Sequence, residues 1–442
     1  MSTKISPHPN KRLAAAFATC LALPGVATAL DDAGLEWNGF LNITGGWLQH
    51  DARMDFTDKK QYQNYEGYEH QLTFEPQSSG GLQAKKKLDD KTSVTMQLYA
   101  EGDVDSYNAR MKWLYVTYKP DFHSTIRVGR IGLPVYYFSD FLHVGYAYHW
   151  ISPPEAVYPF DVTINALDYI YESQWGSWDW TYEMFAGQGD DYLPLIHSRV
   201  ITRNMLGASL SVSRADWLTI RGMIARTLDT HEADTLTPDR VYEYATTTVD
   251  TALEAKHLTD LIPADMRQSL IEQTAAKVDN GFLDLKDIPV VYGDFAIRAE
   301  TERWLLMTEW IKIHTQTALY SDLTSGFVSA GIHEGAALFH ITLSSAKNNI
   351  SKKLYGDLNA VPPDTLDIGE NSEYLAAVIR TRIAGTVYRD FQSVSLGVRY
   401  ELSPSTALKF DVTPYREKAS FEGDTYGVSH NIMYRTALNV TF

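Results

Sequence analysis

Along most of this chain, apolar and polar residues alternate with a period of two, in runs of roughly ten residues that come in pairs. The clearest pair is 81–88 and 92–101, joined by the turn Asp89-Asp90-Lys91. In its second arm Val94, Met96, Leu98 and Ala100 face one way, and Thr95, Gln97, Tyr99 and Glu101 the other. A strand between lipid and water requires this division. The pairing recurs at 109–118 with 125–132, 164–173 with 178–186, 201–213 with 218–227, 290–300 with 304–314, 326–333 with 338–345, and 391–402 with 406–414. The stretch 35–47 opens the series and 431–442 closes it. The pattern predicts about 16 strands, with every second connection short and the others long, so both ends of the series lie on the short-turn side. That is the pattern of an all-β, transmembrane antiparallel β-barrel.

Residues 1–29 read as a secretory signal: Lys4, Lys11 and Arg12 precede the apolar run 13–23, and Ala27-Thr28-Ala29 suits cleavage before Leu30. Its removal takes away three basic residues and the one Cys, so the net charge of −16 becomes −19. A chain exported without Cys has no disulfide framework and no cysteine-based metal site. The acidic balance argues against nucleic acid as a partner. After residue 30 no apolar run reaches the roughly 20 residues of a membrane helix, and backbone groups in lipid must all be paired. A closed barrel over 30–442 is the remaining way to span.

The last strand is more specific. In 434–442, Tyr434, Leu438, Val440 and Phe442 share one face and Phe is final. This resembles the C-terminal signature of bacterial outer-membrane barrels. With Trp37-Asn-Gly-Phe-Leu-Asn-Ile-Thr-Gly45 at the start and Arg127-Val-Gly-Arg130 before a long loop, the chain after Leu30 resembles the general bacterial porins of 16 strands. The resemblance implies a third long loop folded into the bore as a constriction, a homotrimer, and recognition of the last strand by the barrel-assembly machinery. The connection 228–289 is long for that family. Within it, 238–280 reads as helical, divided at Pro263, and 373–383 as a further short helix.

The loop expected to fold inward, 133–163, is dense in rings. Eleven residues from Tyr136 to Phe160 are aromatic or His, interrupted by prolines. Its candidate constriction residues are Asp140, Glu155 and Asp161, with Tyr136, Tyr137, His143, Tyr146 and Tyr148 as wall groups. The rings either offer solutes a stacking surface or hold the loop against the barrel. Across from them the candidate basic wall residues are Lys85 and Lys87, Arg110 and Lys112, and Arg130. A charge facing mid-bilayer lipid costs about 2–4 kcal/mol, which turns these toward water. Trp113, Tyr115, Trp178 and Trp180 fit the aromatic girdles of a barrel.

No catalytic, metal or cofactor constellation emerges: Gly187-Gln-Gly189 is a turn, and the 13 His are scattered. The sequence therefore predicts a passive diffusion channel for small hydrophilic solutes and ions, in contact with outer-membrane lipid. Two alternatives stay open. One is a channel specific for a sugar or an aromatic acid. The other is a barrel whose 228–289 connection serves adhesion or another external partner.

Overall fold

The computed structural model describes residues 34–50, 54–56, 59–61, 67–103, 106–154, 156–158, 161–193, 198–215, 217–233, 262–277, 286–315, 322–349, 388–421 and 424–442, with a few helical positions between 242 and 253. The expected leader 1–29, the expected helix 373–383 and Glu155 lie outside these residues.

Sixteen antiparallel strands form one closed barrel. They are β1 (Leu35–Leu48), β2 (Ser79–Lys87), β3 (Thr92–Asp103), β4 (Ser106–Tyr118), β5 (Ser124–Gly132), β6 (Thr163–Trp175), β7 (Trp178–Leu193), β8 (Ser198–Arg214), β9 (Leu218–Ala233), β10 (Ile288–Glu300), β11 (Trp304–Thr315), β12 (Asp322–Glu334), β13 (Ala337–Asn349), β14 (Tyr388–Ser403), β15 (Thr406–Phe421) and β16 (Asp424–Thr441). β1 closes on β16, from Phe40 opposite Thr441 to Leu48 opposite Met433. Phe442 exchanges two backbone hydrogen bonds with Gly39 at the seam.

The barrel is apolar on the outside. On β11, Leu306 is 54% exposed while Leu305 is 3% exposed. Leu41, Ile43, Met184, Ile224, Phe295, Trp310, Ile341 and Phe410 are exposed in the same way, one per alternate position. Exposed apolar surface on this scale is stable only where lipid solvates it. Tyr434, Leu438, Val440 and Phe442 share the outward face as the sequence indicates, and Tyr434 stacks on Trp47 with ring centroids 5.1 Å apart.

The strands run further than the alternation predicts, chiefly at the long-loop end: β7 reaches Leu193 and β9 reaches Ala233. Beyond the lipid both faces of a strand meet water, so the apolar signal stops while backbone pairing continues. In the shortened connection between β9 and β10, helix α1 (Ala264–Lys277) begins directly after Pro263, and Arg267 pairs with Asp250 at 2.7 and 2.6 Å. Of the expected helical stretch 238–280 this helix of 14 residues is what the described residues show as a continuous element, and Val249, Leu253 and Leu270 are buried.

Two of the expected girdle residues are elsewhere. Gln97 lies opposite Trp113, but Leu98 lies opposite Met111, so Lys112 is the extra residue of a bulge. The bulge turns Lys112 and Trp113 inward together, and Tyr115 follows. Trp178 lies on the outward face near the short turn, beside the Arg214 guanidinium at 5.5 Å.

Candidate functional site: the loop inside the barrel

β5 has only nine residues and pairs with β4 only from Leu114 to Tyr118. At Gly129 the backbone takes φ +140°, and a Cβ would overlap the Leu114 carbonyl, so the motif Arg127-Val-Gly-Arg130 needs its glycine. After Gly132 the chain turns into the bore, and Leu133 N–H donates to Val162 O at 2.9 Å to close the neck of the loop. Two short 3-10 turns, Ser139–Phe141 and Gly145–Ala147, shape its interior.

One side of the loop is an apolar core. Val135, Tyr136, Phe138, Trp150, Val157 and Tyr158 pack on Phe185, Met205, Met223, Tyr292, Met307 and Phe327 of the wall. Trp150 meets Phe327 edge-on at 5.0 Å and donates through Nε1 to Thr342 Oγ1 at 2.7 Å. Thus Tyr136 and Tyr148 are buried as packing groups, and of the two roles open to the rings, holding the loop is the one their positions serve. The apolar inner faces of β9 to β11 were visible as runs that do not alternate, such as Trp304-Leu-Leu-Met307.

The other side is held by charge. Lys409 is fully buried, and its ammonium donates to the carbonyls of Gly145, Tyr148 (2.7 Å) and Trp150 (2.6 Å). Arg399 donates to the Tyr146 and Tyr148 carbonyls at 2.7 and 2.8 Å. Arg221, paired with Asp294, binds the Pro134 carbonyl. Arg435, paired with Asp411, donates to Ser152 Oγ at 2.7 Å. Glu309 accepts the Tyr137 N–H at 2.9 Å and the Tyr158 hydroxyl, and Tyr146 donates to Glu401 at 2.8 Å. At the seam, Asn42 donates to His143 O at 2.8 Å and accepts from Gly145 N–H and from Asn439. The loop is therefore tied to walls on opposite sides of the bore.

Among solved structures, this arrangement is similar to the outer membrane channel DcaP of Acinetobacter baumannii, with a TM-score of 0.52 at 10% identity over 92% of this chain and 97% of that one. It is also similar to Salmonella typhi OmpF in its complex with daunomycin, with a TM-score of 0.51 at 8% identity over 93% and 99%. No family model and no curated protein matches the sequence. The fold is that of the 16-stranded outer-membrane barrels.

In this barrel the predicted site residues separate into three groups. Lys112 and Asp161 form an ion pair joined by His143, whose Nε2 lies 3.1 Å from Asp161 Oδ2, and the His143 ring lies 4.2 Å from that of Tyr99. Next to it Arg110 pairs with Glu101 at 2.9 Å. Lys87 and Lys85 face inward near the short-turn end, where Lys87 pairs with Glu36 at 2.8 Å, away from the loop. Arg130 corrects the expectation of a wall cation. β5 turns Arg127, Gly129 and Ile131 inward, so Arg130 shares the outward face with Val128 and lies opposite Asn165, which lies opposite Gln188.

On the short-turn side of the loop a cavity of about 610 Å3 opens among Gln83, Gln97, Trp113, Arg127, Asp140 and Phe141. Arg127 binds Asp168 at 2.5 Å and Glu183 at 2.7 Å. Asp140 is exposed and has no ion pair among the described residues. The cavity thus meets one exposed carboxylate, Asp140, and one guanidinium, Arg127, whose charge is matched by Asp168 and Glu183 buried behind it. The loop-holding residues Arg221, Arg399, Lys409 and Arg435 escaped the sequence reading, although strand parity places each of them inward.

Proposed function

We propose that the chain is a passive diffusion channel of the bacterial outer membrane, with a narrow water-filled bore for small hydrophilic solutes and ions. The observation that carries this reading is the lipid-facing outer surface wrapped around a polar bore, narrowed by one loop fastened to opposite walls. The solute path follows β2 to β5, past the Arg110–Glu101 and Lys112–Asp161 pairs to the cavity at Asp140. With Arg127 held by two buried carboxyl groups, the exposed Asp140 favours cations there. The short turns face the periplasm, residues 1–29 direct export, and the Phe442 face of β16 is read by the assembly machinery.

The functional unit is a homotrimer. Support comes from Arg130, Asn165 and Gln188, adjacent polar residues on the outward face of β5 to β7. An outward cation near the bilayer midplane costs about 2–4 kcal/mol against lipid, a cost that a neighbouring protomer relieves.

The test is reconstitution in planar bilayers with a salt gradient. We expect current steps in threes and a reversal potential on the cation side, moved toward zero by Asp140→Asn. A folded preparation that carries no current overturns the channel reading.

A further inference from the structure

The outward face carries a second charge pattern. At the long-loop ends of β9, β11, β13 and β15 sit Arg226, Lys312, Lys347 and Arg416, one per ascending strand, all exposed. Below each on the same face is an exposed apolar residue: Ile224, Trp310, Leu343 and Val412. Arg226 and Lys312 lie eight residues beyond the start of their strands, and Lys347 and Arg416 ten. With a rise of about 3.3 Å per residue and a tilt of about 40°, that is roughly 20–25 Å from the short-turn end, the upper edge of an apolar band about 25 Å tall.

Alternate strands stand about 10 Å apart, so the four charges span an arc of roughly 30 Å. None of the four has an ion pair within 4 Å among the described residues, although Asp390 lies opposite Lys347 and the chain is acidic overall. The row is one-sided. The corresponding outward positions are Ile43 and Gly45 on β1, Ala100 on β3, and Ala186 and Gln188 on β7.

We propose that this row is a docking surface for the phosphate groups of an anionic glycolipid in the outer leaflet. A guanidinium offers such phosphates a two-pronged donor and an ammonium a compact charge, both at the level where headgroups begin. The proposal rests on the outer-membrane reading above. It separates the barrel into a lipid-binding arc over β9 to β15 and the sector of Arg130, which has no such row.

The test uses the full barrel in zwitterionic detergent with purified diphosphorylated lipid A as the probe, bound lipid being counted by native mass spectrometry. Replacing all four residues by Gln should weaken binding, by about five-fold per residue removed, the ratio that corresponds to about 1 kcal/mol per basic side chain. Dephosphorylated lipid A should bind the natural barrel as weakly as the phosphorylated form binds the variant. A control that neutralises Lys91, Lys119, Arg214 and Arg303, at the short turns, should bind like the natural chain. Equal binding by the fourfold variant, or an equal loss in the control, overturns the proposal. If the fourfold variant does not fold, Lys312→Gln and Lys347→Gln singly should each show the partial loss, and no loss in either also overturns it. Conductance of the same preparations separates this outcome from failure of the channel reading.

Discussion

Replacing Lys409 by Met should loosen the inserted loop while leaving the barrel intact. In the native chain one buried ammonium satisfies three loop carbonyls, at Gly145, Tyr148 and Trp150, and lies 4.9 Å from the Tyr148 ring centroid. Met fills a similar volume but donates nothing. A buried acceptor left without its donor costs about 1–3 kcal/mol; the Tyr148 carbonyl keeps Arg399, so the Gly145 and Trp150 carbonyls together cost about 2–6 kcal/mol. Part of this returns because the ammonium no longer has to be desolvated, a penalty of several kcal/mol for a buried ion. A net weakening of about 1–3 kcal/mol raises the population of loop-released barrels roughly 5- to 140-fold, at 1.4 kcal/mol per factor of ten. No strand pairing depends on the Lys409 side chain, so heat-modifiable mobility in electrophoresis should survive. Single-channel recordings should show higher mean conductance and greater open-channel noise. Lys409→Arg should behave similarly, because a planar fork cannot direct three donors from one atom. Traces identical to those of the natural chain would refute the assignment of Lys409 as the residue that holds the loop.

Gly145 leaves no room for a side chain: a Cβ would overlap the Asn42 and Asn439 amides, so Gly145→Ala should destabilise by about 1–3 kcal/mol, seen as a lower thermal midpoint. Gly129→Val should lower refolding yield through both its φ of +140° and the overlap with Leu114, whereas Gly335→Ala, with a φ of +61° but no atom in the way, should cost less. His143, on the inserted loop, is held well below its ordinary pKa by burial and by Lys112 beside it, so the native loop keeps it neutral. The unfolded chain takes up that proton as the pH falls through about 6.5, so acidification below that point should destabilise the natural chain relative to His143→Gln. A difference in thermal midpoint between the two that stays constant from pH 8 to 5 would contradict this.

The barrel was legible because lipid on one side and water on the other impose a strict period of two, and paired short turns repeat it. Register at the outer ends was not, since the pattern fades where both faces are wet. The loop was legible as a crowd of rings after a short strand, but its attachment was not. Lys85 and Lys87 stand out as a basic pair, yet they lie at the short-turn end, while Arg221, Arg399, Lys409 and Arg435, which grip the loop, are single cations on four other strands. Their parity marks them as inward, and nothing local marks which of them meets a carbonyl. Arg130 misleads for a related reason: it ends a basic motif, but one residue of parity decides which side it faces.

Asn42 and Asn439 join the first and last strands across the seam, 397 residues apart in sequence, and the same Asn42 amide is bonded to the loop at His143 and Gly145. Contacts of such separation form late in folding, after the local hairpins. The loop must then already lie in the bore when the two ends of the sheet meet, since its backbone supplies part of what those ends bind. Seating of the loop and sealing of the cylinder become one kinetic event. A chain with a shortened 133–163 segment should therefore linger as an open sheet during assembly, before any question of permeation arises.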